Sequence, residues 1–465
     1  MAEQGLPEFI SSVIPEPRRI GDPGRRREGD DLAPYFTLEV GPPGEERPLQ
    51  EDITQYIESV EFESALDMAD LMKIKVHNPG LLQAGTDKSD VTAPPDWGAH
   101  RAFQPGNEMN LLIGYGSAPP RFVGRVILAK HSPNFSSGDE VPSLEVKGYD
   151  KSFMLMNVSG NVQGGADSRL RLREPRPTED SDDQGQGFVG SRHSDVIHAI
   201  AEMHSMDTDI DETSRAEDFS WKKGMKHYEI VRTLANINDR DFWVDFNHRS
   251  RRWVLHWKEP LREPRPEFIF VYGRGDASTL LSFQPEYGLR EAINEATILI
   301  FDRERQQWIS AIEIEDFEAT DPRFQAGGGA QSRAQSSARG RQRGRQNAES
   351  RRAEMEINEA LENASAFRLA AAGVAIDVLP PGERFADAEA AARFLRRWFL
   401  ERRDSFIIGK GEVIGVETLL RRQVHRLEGI GVRLSGEYLF TSVRHKFSSD
   451  GLYKCEFIAN KMLVA

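Results

Sequence analysis

Apolar and polar side chains alternate along much of the chain, which is the pattern of strands buried on one face. Between residues 35 and 150, turn-forming residues and a Pro- and Gly-punctuated loop at 79–107 separate the alternating runs. These runs are YFTLEV, ITQYIESVEFESAL, LMKIKV, MNLLIGYG, RFVGRVILAKH and SLEVKGYD. Short strands bounded by turn residues are typical of a small barrel or sandwich. We therefore expect a first β-barrel domain over residues 32–156.

Two later segments place apolar residues at helical spacing instead. In the first, Ser194 is a candidate N-cap, since a Ser side chain can accept a backbone N–H at a helix start. The apolar stripe that follows comprises Val196, Ile197, Ile200 and Ala201, with His204 on the same face. The second segment starts near Lys226, and its stripe comprises Ile230, Val231, Leu234, Ala235 and Ile237. Alternation returns at 242–246 and 253–257, so the pattern predicts an inserted helix-helix-strand domain over residues 191–262.

The remaining segments differ from these domains in composition. Residues 1–31 are rich in Pro and Arg and predict an extended arm, and residues 157–190 predict a mobile polar loop with an acidic run at Glu179–Asp183. The runs FIFVYG, EATILIFD and QQWISAIEIED and the strands after an amphipathic helix at Ala386–Arg403 predict a second β-barrel domain over 263–322 and 366–465. An Arg-rich stretch, 323–365, interrupts this domain and predicts a disordered insertion.

The chain ends in a long alternating hairpin over residues 432–461, with a turn predicted at Ser448–Gly451. Strict alternation before the turn predicts one face with Leu439, Thr441, Val443 and Phe447, and an opposite face with Tyr438, Phe440, Ser442, Arg444 and Lys446. After the turn it predicts a buried face with Tyr453, Cys455, Phe457 and Ala459. An isolated hairpin is not stable, so this one must complete a larger sheet.

The run GEYLFTSVRHKFSSDGLYKCEF resembles the closing hairpin of the phage late control D family, the baseplate hub proteins of contractile tails. The matching positions in it are Gly436, Tyr438, Thr441, Val443, His445, Gly451 and Phe457. The departures from the family pattern are Phe440, Leu452 and Lys454. Two further stretches resemble hub proteins and the hub portion of VgrG spike proteins, at Gly124, Arg125, Val126, Gly148, Tyr149 and Asp150, and at Tyr228, Leu234, Ala235, Phe242 and Val244.

The resemblance implies an α+β, mainly β fold with two tail-tube-like antiparallel β-barrels and the inserted helix-strand domain. It also implies a homotrimer that forms a pseudo-six-fold ring between the tail tube and the central spike, within a virion tail baseplate assembled in the bacterial host cytoplasm. The implied partners are the spike protein, the tail tube or tube-initiator protein, other baseplate and wedge proteins, and the tape measure protein. The same architecture could serve a bacterial phage-tail-like contractile injection system, and a tail-associated peptidoglycan hydrolase is a further alternative.

Charge and cysteine content narrow the function classes. The 465 residues carry a formal net charge of -14, which argues against a dedicated nucleic-acid binder or DNA-binding regulator. The single cysteine, Cys455, allows no intramolecular disulfide and no Cys-based zinc site. Neither a signal peptide nor a run of about 18 apolar residues is found, so no membrane partner is expected.

Local motifs for chemistry are weak, so no catalytic, cofactor-binding or metal residue is predicted. His193, His198 and His204 lack the i, i+4 spacing of a helical zinc pair, and we expect His198 to pair with Glu202 on the helix surface. The series Asp207, Asp209, Asp211 and Asp218 imitates a calcium loop but has Glu212 where the turn needs Gly, so an acidic exit from a helix is expected. The glycines of GKGEVIG, at 409, 411 and 415, are expected in a strand turn, and Arg274–Asp276 is a chance Arg-Gly-Asp. A pair of carboxylates needs no local motif, so a glycosidase stays open.

Overall fold

The computed structural model describes residues 33–66, 68–78, 97–135, 142–159, 162, 186–214, 216–221, 224–261, 265–273, 278–287, 407–448 and 452–462, and the backbone of strand segments at 18–19, 295–302, 307–314 and 375–377. The Arg-rich stretch 323–365, the predicted helix at 386–403, the Arg274–Asp276 tripeptide and residues 449–451 of the hairpin turn lie outside the described residues.

The described strands are β1 (Arg18–Arg19), β2 (Pro34–Gly41), β3 (Arg47–Pro48), β4 (Ile57–Ala65), β5 (Leu71–His77), β6 (Glu108–Tyr115), β7 (Arg121–Asn134), β8 (Ser143–Tyr149), β9 (Gln186–Arg192), β10 (Asp207–Ile210), β11 (Ala216–Trp221), β12 (Asp241–Asn247), β13 (Arg252–Lys258), β14 (Phe268–Val271), β15 (Leu280–Tyr287), β16 (Glu295–Asp302), β17 (Gln307–Ile314), β18 (Ala375–Asp377), β19 (Ile407–Ile414), β20 (Gln423–Glu428), β21 (Gly436–Ser448) and β22 (Tyr453–Lys461). The described α-helices are α1 (Glu51–Thr54), α2 (Ser152–Asn157), α3 (His193–Met203) and α4 (His227–Asn238).

Fourteen of these strands form one sheet. Its main path runs β1-β14-β20-β21-β4-β5-β8-β7-β6-β2-β3, and β22, β19 and β15 continue from the other edge of β21. The β1–β14 and β14–β20 pairs are parallel, and the other pairs of this sheet are antiparallel. The predicted fold class, α+β and mainly β, is confirmed.

Strand β21 belongs to both strand-rich blocks of the sequence. Its first part, Gly436–Phe440, pairs with β20, and its second part, Ser442–Ser448, pairs with β4 along the same edge. Strand β22 follows the opposite edge of β21 through both parts. The two blocks are therefore halves of one continuous sheet, which we call the β20 half and the β4 half.

A β-bulge at Thr441 separates the two parts of β21. The register with β22 passes from Phe440–Ala459 to Ser442–Ile458, so Thr441 is the extra residue. Before the bulge Tyr438 and Phe440 are buried, and after it the buried apolar side chains include Val443 and Phe447. The strict alternation predicted for β21 was wrong, because one inserted residue exchanges the faces of a strand. The predicted face of β22 is confirmed, with Tyr453, Cys455, Phe457 and Ala459 all buried.

The described residues of 186–261 form a second body, which we call the inserted unit. Its helix α4 has the predicted buried stripe, and the stripe of α3 is also confirmed. However, α3 begins at His193 with Arg192 at the N-cap, so Ser194 is not the cap residue. Strand β10 pairs in parallel with β13, which also pairs with β12, and β9 pairs with β11. Strand β9 begins within the segment that was predicted as a loop.

Two further elements differ from the sequence-based expectation. Strand β16 pairs with β17 and with β18 in a separate three-stranded sheet. Gly409 and Gly411 of the GKGEVIG run lie inside β19, and Gly415 follows its last residue, so the predicted strand turn was wrong. A Cβ atom on Gly409 would lie 2.1 Å from the ring of Phe283, and one on Gly411 would lie 2.6 Å from the ring of Phe457. These glycines leave room for aromatic rings packed directly over the strand.

Candidate functional site at the junction of the two sheet halves

The bulge at Thr441 is where the two sheet halves meet. The carbonyl of Phe440 accepts a hydrogen bond from the N–H of Arg422, which precedes β20, at 2.7 Å. The next carbonyl, of Thr441, accepts one from the N–H of Leu66, which follows β4, at 3.0 Å. Of two consecutive carbonyls of β21, one thus binds the β20 half and the next binds the β4 half. The Thr441 hydroxyl donates to the carbonyl of Ile458 at 3.2 Å and holds the bulge against β22.

Arg421 is the central side chain of this junction and is buried. Its Nη1 donates to the hydroxyl of Ser64 in β4 and to both carboxylate oxygens of Asp70, which immediately precedes β5. Its Nη2 donates to the Val244 carbonyl at 2.9 Å and to Asp245 Oδ1 at 2.7 Å, both in β12. One guanidinium therefore joins the loop before β20, the β4 half and the inserted unit.

Two buried carboxyl groups accompany Arg421. Burial raises the pKa of Asp70 to about 6, although the Arg421 guanidinium opposes the rise. Burial and the neighbouring Asp70 raise the pKa of Asp150 well above its usual range. Burial works against the charge of Arg421, but the Asp70 and Asp245 carboxylates outweigh it and raise the pKa of Arg421.

Perturbed carboxyl groups can mark an active site. Here Asp70 and Asp150 are only 6% and 2% exposed, so a substrate cannot reach either group without opening the fold. Asp150 accepts hydrogen bonds from the backbone and hydroxyl of Ser152 at 2.9 and 3.1 Å, which fixes the start of α2. The arrangement fits a positioning role better than proton transfer to a substrate.

Arg422 makes a second contact with the inserted unit. Its guanidinium lies 4.4 Å from the centre of the Trp243 ring, and its Nε is 3.3 Å from Asp241 Oδ2. The ring of His256 also stacks on Trp243, at 4.8 Å and nearly parallel to it. Arg422 has a φ of 63°, a left-handed conformation that is uncommon outside glycine. The backbone is thus strained where two adjacent arginines point into the junction.

Arg125, one of the residues that matched the hub pattern, makes a third contact. It is buried in β7, pairs with Glu46 and lies 2.9 Å from Glu108 Oε2. Its guanidinium lies 3.9 Å from the centre of the Phe246 ring in β12. Trp253 Nε1 also donates to Glu108 Oε1 at 3.3 Å. Arg125, Arg421 and Arg422 therefore line one strand, β12, and we call them the arginine row.

The lone cysteine lies beside a histidine, and this pair is the obvious candidate for nucleophilic chemistry. Cys455 Sγ is 3.5 Å from His445 Nδ1, which is also 2.7 Å from the Tyr453 hydroxyl. Burial raises the pKa of Cys455 to about 12 and lowers that of His445 to about 4. An activated pair needs a low thiol pKa and a protonated imidazole. The shifts run the opposite way, so this pair is suited to packing rather than catalysis.

The three histidines singled out in the sequence lie in separate environments. His193 Nδ1 is 2.8 Å from Asn238 Nδ2, and His204 Nε2 is 2.8 Å from Nδ1 of His227. His198 contacts Glu212 at 3.1 Å rather than the expected Glu202. Among the described residues, no group of three or more His, Cys, Asp or Glu side chains is arranged to hold a metal ion.

Three members of the calcium-like acidic series pair with basic side chains across the sheet of the inserted unit. Asp207 contacts Arg252 at 3.0 Å, Asp209 contacts His256 at 3.0 Å, and Asp211 contacts Lys258 at 3.2 Å. The expected acidic exit from a helix was wrong, because Asp207–Ile210 form β10, and Asp218 lies in β11. These pairs hold β10 on β13 instead of forming a cation cage.

Sequence reasoning missed Arg421, Arg422 and Asp70. Arg421 and Asp70 are 351 residues apart, so no local spacing could connect them. The available signals were Arg125 and Asp150, which carried the family resemblance; Arg125 contacts Phe246 of β12, and Asp150 is a neighbour of Asp70.

Comparison with solved structures identifies proteins that share this fold. A tail protein from Neisseria meningitidis MC58 aligns with a TM-score of 0.55 at 9% identity, covering 92% of this chain and 96% of that one. The 43 kDa tail protein of prophage MuSo2 from Shewanella oneidensis aligns with a TM-score of 0.55 at 11% identity, covering 93% of this chain and 99% of that one. The chain therefore has a tail-protein fold.

At this identity the fold alone is shared. The hub-like fold expected from the C-terminal hairpin and the two other matching stretches is confirmed. Comparisons with protein-family models and with curated proteins gave no match. In the part of the chain that the structure describes, no helix is both long and apolar enough to cross a membrane.

Proposed function

We propose that the chain is the structural hub of a contractile-tail baseplate, a non-enzymatic homotrimer that adapts the six-fold tail tube to the three-fold central spike. The observation that carries the proposal is the sharing of β21 between two strand-rich halves. Two halves in each of three chains give six similar units around a three-fold axis, which is what a symmetry adaptor needs. The fold shared with two tail proteins over more than nine-tenths of each chain supports it.

The sheet offers edges for such an assembly. Among the described pairings, β15 is bonded only to β19 and β3 only to β2. An open edge is an aggregation hazard in a monomer, and pairing across subunits removes it. The edges are therefore the first places to look for contacts between copies or with the tube.

The proposed partners are the central spike, the tail tube or tube-initiator protein, other baseplate and wedge proteins, and the tape measure protein. The proposed location is the virion tail baseplate, after assembly in the host cytoplasm. A bacterial injection particle would use the same architecture. The identity of the partners that co-purify with the chain distinguishes the two.

Light scattering on the purified chain tests the proposal, alone and mixed with its candidate tube and spike proteins. We expect a mass three times that of the 52.5 kDa chain, either alone or once the spike is added. A stable monomer that ignores both partners would contradict the hub. Clearing of peptidoglycan in a zymogram would favour the hydrolase alternative instead.

A further inference from the structure

The inserted unit has a hydrophobic core of its own. Among the described residues, most of the buried apolar side chains fall into two clusters, one in the large sheet and one in the inserted unit with neighbouring residues of 155–162. The second cluster includes Phe188, Val196, Ile200, Ile230, Leu234, Trp253, Leu255 and Trp257. A body with a separate core can keep its fold when its position changes.

The contacts between the inserted unit and the sheet are largely polar. The arginine row supplies three of them, Arg251 adds a fourth by pairing with Glu46 at 2.6 Å, and Trp253 adds a fifth by donating to Glu108. Apart from Leu155 and Val162, which belong to the core of the unit, the apolar part is small: Ile127 packs on that core, and Phe122 lies against Phe246 and His248. Polar interfaces of this kind allow bodies within one chain to move relative to each other.

Arg421 differs from the other members of the row because its guanidinium donates hydrogen bonds to both bodies at once. A buried guanidinium is favourable only while its partners surround it, since an unpaired buried charge is strongly destabilising. If β12 leaves, Arg421 loses Val244 and Asp245 and is partly exposed to water. The contact therefore favours a single docked position of the inserted unit on the sheet.

The strain at Arg422 acts in the same direction. Its left-handed backbone conformation persists only where surrounding contacts enforce it. Three of those contacts, to the Trp243 ring, the Asp241 carboxylate and the Glu259 carbonyl, lie in the inserted unit. Undocking removes these three and, among the described residues, leaves only the hydrogen bond from the Arg422 N–H to the Phe440 carbonyl of the sheet.

We propose that the inserted unit is a movable body, latched to the sheet by the arginine row, and that Arg421 is the contact whose loss releases it. The latch is a conformational device within one chain and does not depend on the hub role. Release leaves both hydrophobic cores intact.

Pulsed EPR between two spin labels measures this motion in the full chain. Arg232, exposed on α4, and Lys410, exposed on β19, are each replaced by cysteine and labelled. The native Cys455 is buried and its pKa is raised, so it should not react. We expect one narrow distance in the labelled parent and, in Arg421→Met, a broadened distribution with a second, longer distance.

Arg444→Met is the matched control. Arg444 also pairs with two carboxylates, Glu63 at 2.7 Å and Glu456 at 3.3 Å, but it touches only the sheet. In Arg444→Met the narrow distance between the two labels should be the same as in the parent. A folded Arg421→Met chain with the parent distance would overturn the proposal.

A second variant covers the case in which Arg421→Met does not fold. Arg422→Gly keeps Arg421, relieves the strain and removes the contact with Trp243. We expect it to show the longer distance as a minor population. If it folds and keeps only the parent distance while Arg421→Met is unfolded, Arg421 is a folding residue and the latch is wrong.

Discussion

Two buried histidines, one in each half of the sheet, are held in opposite ways. In the β4 half, His445 Nδ1 lies 2.7 Å from the Tyr453 hydroxyl, and its Nε2 lies 2.7 Å from the Leu419 carbonyl. In the β20 half, neither ring nitrogen of His425 has a hydrogen-bond partner among the residues that the structure describes. Its ring is surrounded by the aromatic rings of Phe268, Phe270 and Phe440.

The difference shows what each half uses its polar groups for. His445 connects β21 to the segment at 415–419 and to β22, so it fixes how the chain crosses the junction. His425 fills space in an aromatic cluster that includes the stacked rings of Phe440 and Phe457. The bulge at Thr441 places His445 on the same buried face of β21 as Tyr438 and Phe440.

Deletion of Thr441 should have the largest effect, because it removes the bulge that separates the halves. A one-residue shift moves the side chains of one part of β21 to the opposite face, so either Tyr438 and Phe440 or Val443 and Phe447 would leave the core. We expect a loss of more than about 5 kcal/mol, enough to prevent folding of a typical domain. Urea unfolding followed by circular dichroism measures it.

Thr441→Val is the control for that deletion, since it keeps the residue and loses only the hydroxyl bond to Ile458. Its cost should be about 1 kcal/mol. Equal stability of the deletion and the parent would mean that the bulge does not set the faces of β21.

The substitution His445→Phe removes both hydrogen bonds of the histidine that has partners. It leaves the Leu419 carbonyl and the Tyr453 hydroxyl buried without this partner, and each such group costs about 1–3 kcal/mol. We therefore expect a loss of about 2–6 kcal/mol in the free energy of unfolding at pH 7. A loss below about 1 kcal/mol would show that water or a shifted neighbour replaces the histidine.

His425→Phe should remove part of the acid sensitivity. Burial lowers the pKa of His425 to about 3, whereas the unfolded chain titrates near 6.5. The unfolded state therefore binds the proton first, and stability is lost as the pH falls below 6.5. At pH 5 this group should cost about 2 kcal/mol relative to pH 7.

The measurement is the free energy of unfolding of parent and His425→Phe at pH 7 and pH 5. The variant should match the parent within about 1 kcal/mol at pH 7, because an apolar ring replaces an unbonded polar one. The raised pKa of Asp70 acts in the opposite sense and is common to both chains, so it cancels in the difference. An unchanged pH dependence would mean that His425 already gains a partner from solvent.

The same contrast explains how much of the structure the sequence could predict. The stripe of α4 and the buried face of β22 follow from a local period, and both were predicted. The faces of β21 depend on a bulge that forms only when β20, β4 and β22 pair with it, so local alternation predicted them wrongly.

The candidate site could not be predicted from the sequence for a related reason. The arginine row joins residues far apart in the sequence. Burial of Arg421 is favourable only in the folded chain, where the carboxylates of Asp70 and Asp245 surround it. Family resemblance pointed to Arg125 and Asp150 without showing what they contact. The fold class needed only the count and spacing of alternating runs, and it was predicted.

Arg444→Met should have the smallest effect, because the ion pairs of Arg444 lie on the outer face of the β4 half, where water screens charge. Arg444 pairs with Glu63 of β4 and Glu456 of β22, but its side chain is 40% exposed. Exposed ion pairs contribute about 0–1 kcal/mol, and salt weakens them further. We expect a loss below about 1 kcal/mol that shrinks in 1 M salt, measured by urea unfolding at two salt concentrations. A loss as large as that of His445→Phe would mean that the exposed ion pairs of Arg444 hold β21 in the sheet as strongly as the buried hydrogen bonds of His445 do.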